Sequence, residues 1–280
     1  APFRRQVLEP LGAAAQAHIA QFYESFDAIR EAGLDALIIT GANVSHPNLA
    51  DEAFWEPLIE VIDWAWDHVT STLCSCLATH AVMQFRHGQK RVKQPRKIWG
   101  VFEHRVTDGR HPLVADVNTR FDVPHSRWND VSHAQFEAAG LKVLVESADA
   151  GVHLAVSRDG LRTVFFQGHP EYDTVSLLKE YKRDLLLAAA GKLASFPPFP
   201  ARYFDRQAQA LLAEFGSRTQ AGETLAFPES LLLPLLDNTW HDTAEAVIGN
   251  WIGCVYQVTH RERGLPFMPG IDPDNPLGLA

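Results

Sequence analysis

Six short, nearly unbroken apolar runs constrain what the middle of this chain can become: residues 36–40, 69–74, 98–101, 142–146, 152–156 and 163–166. Runs this short suit central strands covered on both faces, because a buried helix needs a longer stretch. Between some of them the period changes. Trp55, Leu58, Ile59, Ile62 and Trp66 recur at helical spacing, as do Leu177, Leu178, Tyr181, Leu185 and Ala189. The second helix has Asp173 as its expected N-cap and Gly191 as its expected stop. Strands alternating with helices predict an α/β layered domain with a largely parallel sheet and helices on both faces. Ser157-Arg158-Asp159-Gly160 between the last two runs predicts a hairpin, and so some antiparallel pairing.

Prolines at 197, 198 and 200 interrupt this pattern. Residues 203–216 and 240–259 then read as helices, and the Pro- and Gly-rich run Gly264 to Ala280 reads as an arm or tail. The expected organisation is a core over 1–194 and a C-terminal helical extension over 195–280 that packs on it. With 280 residues, 46% hydrophobic and 21% charged, the chain is long enough for a substantial core. No apolar run approaches the roughly 20 residues of a membrane span, and Ala1-Pro2-Phe3-Arg4-Arg5 does not resemble a secretory leader. Three cysteines make no disulfide framework, which fits a reducing cytoplasm. A formal net charge of −9 argues against a nucleic-acid partner.

Two segments carry chemistry. Val69-Thr70-Ser71-Thr72-Leu73-Cys74-Ser75-Cys76 reads as a strand that delivers a thiol into a sharp turn before a helix. A thiol placed there meets free backbone N–H groups and the positive end of the helix dipole, both of which favour thiolate. Cys76 is therefore the candidate nucleophile, and the N–H of Leu77 the candidate oxyanion donor. Cys74 reads as a core thiol, although on a strand it would share a face with Cys76. Gln167-Gly168-His169-Pro170-Glu171 follows the apolar Val164-Phe165-Phe166, and ligands bind beyond such strand ends in open α/β sheets. His169 suits a general base and Glu171 the acid that orients it; the competing reading is a surface turn. His68, His80, His104, His125 and His241 read as structural, since no metal-ligand spacing links them. The basic stretch Arg86 to Lys97 reads as a solvated loop, or alternatively as a hold for coenzyme phosphates. No nucleotide-binding glycine motif is present.

At these residues the chain resembles the homoserine O-succinyltransferase / O-acetyltransferase family of methionine biosynthesis. The matching segments are Phe22-Tyr23-Glu24-Ser25-Phe26, Leu37-Ile38-Ile39-Thr40-Gly41-Ala42, Asp67-His68-Val69-Thr70-Ser71-Thr72-Leu73, Gly100-Val101-Phe102-Glu103-His104-Arg105, Pro124-His125-Ser126-Arg127, Gly168-His169-Pro170-Glu171-Tyr172-Asp173 and Asn250-Trp251. Their order holds over roughly residues 20–190 and returns near 240–258. The resemblance implies a flavodoxin-like, class I glutamine amidotransferase-like fold. It implies ping-pong transfer from an acyl-coenzyme A to L-homoserine, with no resident cofactor or metal, and it suggests a homodimer. Cys76 would carry the thioester, with His169 as base and Glu171 as its acid. Arg183 matches an arginine that holds the amino-acid carboxylate, and Ser126 a substrate-contacting serine. Ser45 falls where the family selects the acyl group; being small and uncharged, it points to succinyl-CoA rather than acetyl-CoA. Three departures stand out: Asn43 replaces a usual proline, Leu77-Ala78-Thr79-His80 replaces the usual run after the nucleophile, and 195–240 is longer than the usual connection. The family's first strand, with its active-site lysine, has no evident counterpart before residue 20, so that unit is expected to be absent or diverged.

Alternative acceptors and donors remain open, because serine differs from homoserine by one methylene, which discriminates by only about 1–3 kcal/mol; O-acetyl transfer is the other option. An amidohydrolase of the glutamine amidotransferase kind would share the elbow and the His–Glu pair, but its Gly-x-Cys-x-Gly turn is missing here. A non-catalytic relative would show no covalent labelling of Cys76.

Overall fold

The computed structural model describes residues 12–42 and 44–279. Asn43 and the stretch Ala1 to Arg5 lie outside the described residues. Helices α1 (Ala13–Phe22) and α2 (Phe26–Ala32) lead into strand β1 (Ala36–Ile39). Helix α3 (Trp55–His68) then returns the chain to β2 (Ser71–Ser75), and α4 (Leu77–His87) follows after a single residue. The long β3 (Val92–Val106), β4 (Arg120–Asp130), short α5 (His133–Ala138), β5 (Lys142–Ser147), β6 (Gly151–Val156) and β7 (Thr163–Phe166) come next. Helices α6 (Ser176–Ala189), α7 (Arg206–Gln220), the single turn α8 (Glu229–Leu232) and α9 (His241–Val258) complete the order.

The strands form one seven-stranded sheet in the order β1-β2-β7-β6-β5-β3-β4. Among the described residues the strand pairs β1–β2 and β2–β7 are parallel; β7–β6, β6–β5, β5–β3 and β3–β4 are antiparallel. The expected largely parallel sheet is thus a mixed one. The reason is local: parallel strands need a crossover of a dozen or more residues, and the β5–β6 and β6–β7 connections are too short for one. The predicted β6–β7 hairpin forms, with Gly160 at φ 88° and the Asp159 carboxylate accepting from the N–H groups of Leu161 and Arg162.

Helices cover both faces. On one, Cys74, Ala155 and Phe165 pack against Ile62 of α3, Ala78, Val82 and Met83 of α4, and Phe136 of α5. On the other, Leu73, Val164 and Phe166 pack against Val247, Trp251 and Val255 of α9. Trp251 Nε1 donates to Ser71 Oγ at 2.8 Å, so this helix is pinned to the strand that carries the elbow. Phe267, Ile271 and Leu277 also pack on this cluster, so the expected tail is folded back onto the core. A third cluster joins α6 and α7 to Trp99 and Val101 of β3. Asp173 does not cap α6; the N-cap is Val175, without a side-chain bond. Gly191 does close that helix, at φ 70°. The stretch Arg86 to Lys97 is not a loop, since it ends α4 and begins β3. Among the described residues, no helix is long and apolar enough to cross a membrane.

Candidate active site

Three chain segments meet beyond the carboxyl ends of β1, β2 and β7. The first is the elbow. Cys76 is the single residue between β2 and α4, and its backbone sits at φ 52°, ψ −106°, a region that non-glycine residues rarely occupy. Strain of this kind persists only where the surroundings enforce it. Here the Cys76 N–H donates to Phe166 O at 2.8 Å, and Thr79 Oγ1 ties the first turn of α4 to Cys74 O and Phe166 O. The partly exposed Cys76 thiol is lifted off the sheet, while Cys74 stays fully buried. Burial pushes the Cys74 thiol up to about 12, so the two cysteines differ sharply in environment. Leu77 opens α4, and first-turn N–H groups have no partner within the helix. Gly41, at the end of β1, faces this turn: a Cβ there would lie 3.7 Å from Leu77 Cβ and 3.9 Å from Cys76 Cβ.

The second segment follows β7. His169 Nδ1 lies 2.8 Å from Glu171 Oε1, and the ring stacks on Tyr172 with centroids 4.5 Å apart. Its side chain is 12% exposed, that of Glu171 57%. Burial disfavours the charged imidazole, but hydrogen bonds to Cys76 and Glu171 and their negative charge outweigh it and hold His169 up at about 10. The His169 N–H donates to Pro124 O at 2.8 Å, which anchors the loop to β4.

Beneath this loop lies a buried stack of imidazoles that the sequence reading left unconnected. Arg127 Nε donates to His125 Nδ1, so His125 carries its proton on Nε2 toward His104 Nε2, 3.1 Å away. His104 then directs its own Nδ1 proton to Phe102 O at 2.9 Å. His153 packs edge-on against both rings. Burial holds His104 down at about 4, and His125 and His153 well below the ordinary imidazole value. His80, from the unusual run after the nucleophile, bonds Gln167 Oε1 at 3.1 Å, and burial lowers it to about 3. Among the described residues there is no cluster of His, Cys, Asp or Glu able to hold a metal ion.

Ser126 does not stand free beside the thiol. Its hydroxyl donates to Glu180 Oε2 at 2.5 Å, and the same carboxylate takes Lys97 Nζ at 3.0 Å and the Tyr172 hydroxyl at 2.7 Å. Burial would raise Glu180, yet these donors hold it below the usual carboxylate range. Glu180, which the sequence reading did not single out, lies about one turn inside α6, on the face shared with the buried Leu177 and Tyr181, and Lys97 comes from the basic stretch read as a loop. Arg183 lies one turn further on, largely exposed, and donates to Asp184 Oδ1 at 2.7 Å. Ser45 sits on the third segment, after β1, where the buried Glu52 accepts from the N–H groups of Ser45 and His46, both at 2.6 Å. A cavity of about 580 Å³ opens beside Ser75, Glu171 and Tyr172 and is walled on the far side by His241, Glu245 and Ile248 of α9, a volume within the range of small-molecule sites.

A family model described as homoserine O-succinyltransferase matches residues 9–261. The chain is 83% identical over 279 residues to a homoserine O-succinyltransferase of Thiobacillus denitrificans, covering 100% of this chain and 79% of that protein.

The chain belongs to the homoserine O-succinyltransferase family.

It is an acyltransferase, and it is 63% identical to the family member of Allochromatium vinosum, again across 100% of this chain and 79% of that one. Among solved structures, a glutamine amidotransferase of Thermotoga maritima is 11% identical with a TM-score of 0.45, covering 88% of this chain and 92% of that one.

Proposed function

We propose that this chain transfers the succinyl group of succinyl-CoA to the hydroxyl of L-homoserine through a thioester on Cys76. The observation that carries the reading is the strained elbow, which sets a partly exposed thiol against an imidazole held protonated at neutral pH. The Cys76 sulfur attacks the thioester carbonyl of the donor, and the Leu77 N–H receives the oxyanion. The carbon–sulfur bond to coenzyme A breaks, and its thiolate takes the His169 proton. Acylation removes the negative charge at Cys76, one of the influences that raises His169. The imidazole is then left neutral, oriented by Glu171, and takes the proton of the acceptor hydroxyl as that oxygen attacks the enzyme thioester. O-succinylhomoserine departs and the Cys76–His169 ion pair returns.

The Glu180–Ser126–Lys97 network and Arg183 on α6 are the proposed substrate wall, with the guanidinium suited to a carboxylate. The donor assignment rests on the relatives' name and on the small Ser45. The division into a core over 1–194 and an extension over 195–280 is supported by apolar clusters that join α7 and α9 to the sheet. A cytoplasmic homodimer is part of the same proposal. Initial rates of coenzyme A release test it: parallel double-reciprocal lines with succinyl-CoA and homoserine are expected. Intersecting lines, or preference for acetyl-CoA or serine, would overturn the corresponding part.

A further inference from the structure

Of two guanidinium groups whose charge reaches Cys76, one is fully engaged and the other is not. Arg127 is 2% exposed and gives its donors to Asp130 Oδ1, Asn129 O, Ala150 O and His125. Arg91 stands between α4 and β3, half-buried, and is held far more loosely. Among the described residues its Nη2 reaches His46 O and Pro47 O, both at 3.4 Å, beyond the usual range for such bonds. Its Nε is buried without a partner. The nearby Glu52 carboxylate acts on it through charge without a direct hydrogen bond: one oxygen takes two backbone N–H groups and the other faces the His46 ring at 3.5 Å. A buried donor without a partner is costly, so a group that could pair with it would gain that energy back.

We propose that Arg91 receives the terminal carboxylate of a dicarboxylic acyl group while that group is held on Cys76. This rests on the Cys76 thioester reading and deepens it. Ser45 adjoins His46, whose carbonyl the guanidinium reaches, and a small serine there leaves room for a short acyl chain. The free N–H groups of a planar guanidinium match a carboxylate with two parallel bonds. An acetyl group has no second carboxylate and gains nothing there. Arg91 is thus a specificity-determining residue for the donor, and it selects by charge where Ser45 permits by size.

The test is the second-order rate of Cys76 thioester formation, followed by quenched-flow mass spectrometry, with succinyl-CoA and acetyl-CoA. Wild type, Arg91→Leu and Arg91→Lys are compared after their thermal midpoints are shown to match. Arg91→Leu is expected to lose about 10–100-fold with succinyl-CoA, the worth of charged hydrogen bonds, and to change less than about 3-fold with acetyl-CoA; Arg91→Lys should fall between. An equal loss with both donors would make Arg91 a mere tether of the 46–47 loop and overturn the inference, as would no loss in either variant. A wild-type chain that forms no thioester with either donor would instead refute the Cys76 reading beneath it.

Discussion

Substituting Gly168 by alanine probes how tightly β4 sets the position of the loop that carries His169. A Cβ at 168 would stand 2.6 Å from Val123 Cγ1, 2.8 Å from His125 Nε2 and 2.9 Å from His125 Cε1. Carbon atoms rest at about 3.5–4.0 Å, so the overlap with Val123 approaches 1 Å. Neither neighbour has room to yield, since Val123 is 1% exposed and His125 0%. His125 is further held from both sides by Arg127 and His104. Overpacking of this kind costs about 1–3 kcal/mol, which in a domain of this size lowers the thermal midpoint by about 2–4 °C per kcal/mol. The relief available is movement of the loop itself, which carries His169 away from Cys76. A displacement near 1 Å costs on the order of 100-fold in rate. The expected result for Gly168→Ala is therefore a lowered midpoint with a disproportionate loss of kcat. Wild-type midpoint and wild-type kcat together would refute the claim that packing against β4 sets His169.

The buried imidazoles predict acid sensitivity with a definite sign. His104 is held down at about 4 and His80 at about 3, with His125 and His153 also depressed. The unfolded chain, with imidazoles near 6.5, binds protons that the folded chain refuses, so stability falls as pH drops from about 6.5 toward 4, by about 1.4 kcal/mol per proton per pH unit. Urea midpoints at pH 6.5 and 5, a window above most carboxylate titration, should drop by the equivalent of two or more protons; a flat profile would contradict the neutral stack. Brief alkylation of the native chain with iodoacetamide should modify Cys76 and spare Cys74, which is 0% exposed; peptide mapping that finds Cys74 labelled first would reverse the assignment. Glu180→Gln should raise KM for homoserine by about 10-fold through loss of charged bonds to Ser126 and Lys97, with the rate of Cys76 acylation unchanged; a loss confined to acylation would place Glu180 on the donor side instead.

Much of this was legible because local chemistry and tertiary environment agreed. The elbow at Cys76, the β6–β7 hairpin and the two amphipathic helices α3 and α6 each follow from residues adjacent in sequence. Strand β4 was not legible. Its inward positions are Phe121, Val123, His125 and Arg127, so half of its buried face is polar, and Pro124 interrupts the strand pattern. That face is satisfied in large part by groups distant in sequence, namely Ala150 and His104, beside the nearby Asp130. For the same reason the antiparallel pairing beyond the β6–β7 hairpin escaped notice, although the lack of helical periodicity between residues 98 and 130 was a usable sign. Glu180 hid on an amphipathic helix, where an acidic residue among Leu177, Tyr181 and Arg183 reads as solvent-facing. Its role emerges only when Ser126 of β4 and Lys97 of β3 are brought to it.

Intact-protein mass spectrometry after brief mixing with succinyl-CoA, on wild type and on Cys76→Ala, tests the central claim most directly. The account predicts a succinyl increment on wild type that is absent from Cys76→Ala and is discharged on adding homoserine. An increment that persists in Cys76→Ala, or one that homoserine cannot discharge, would contradict it.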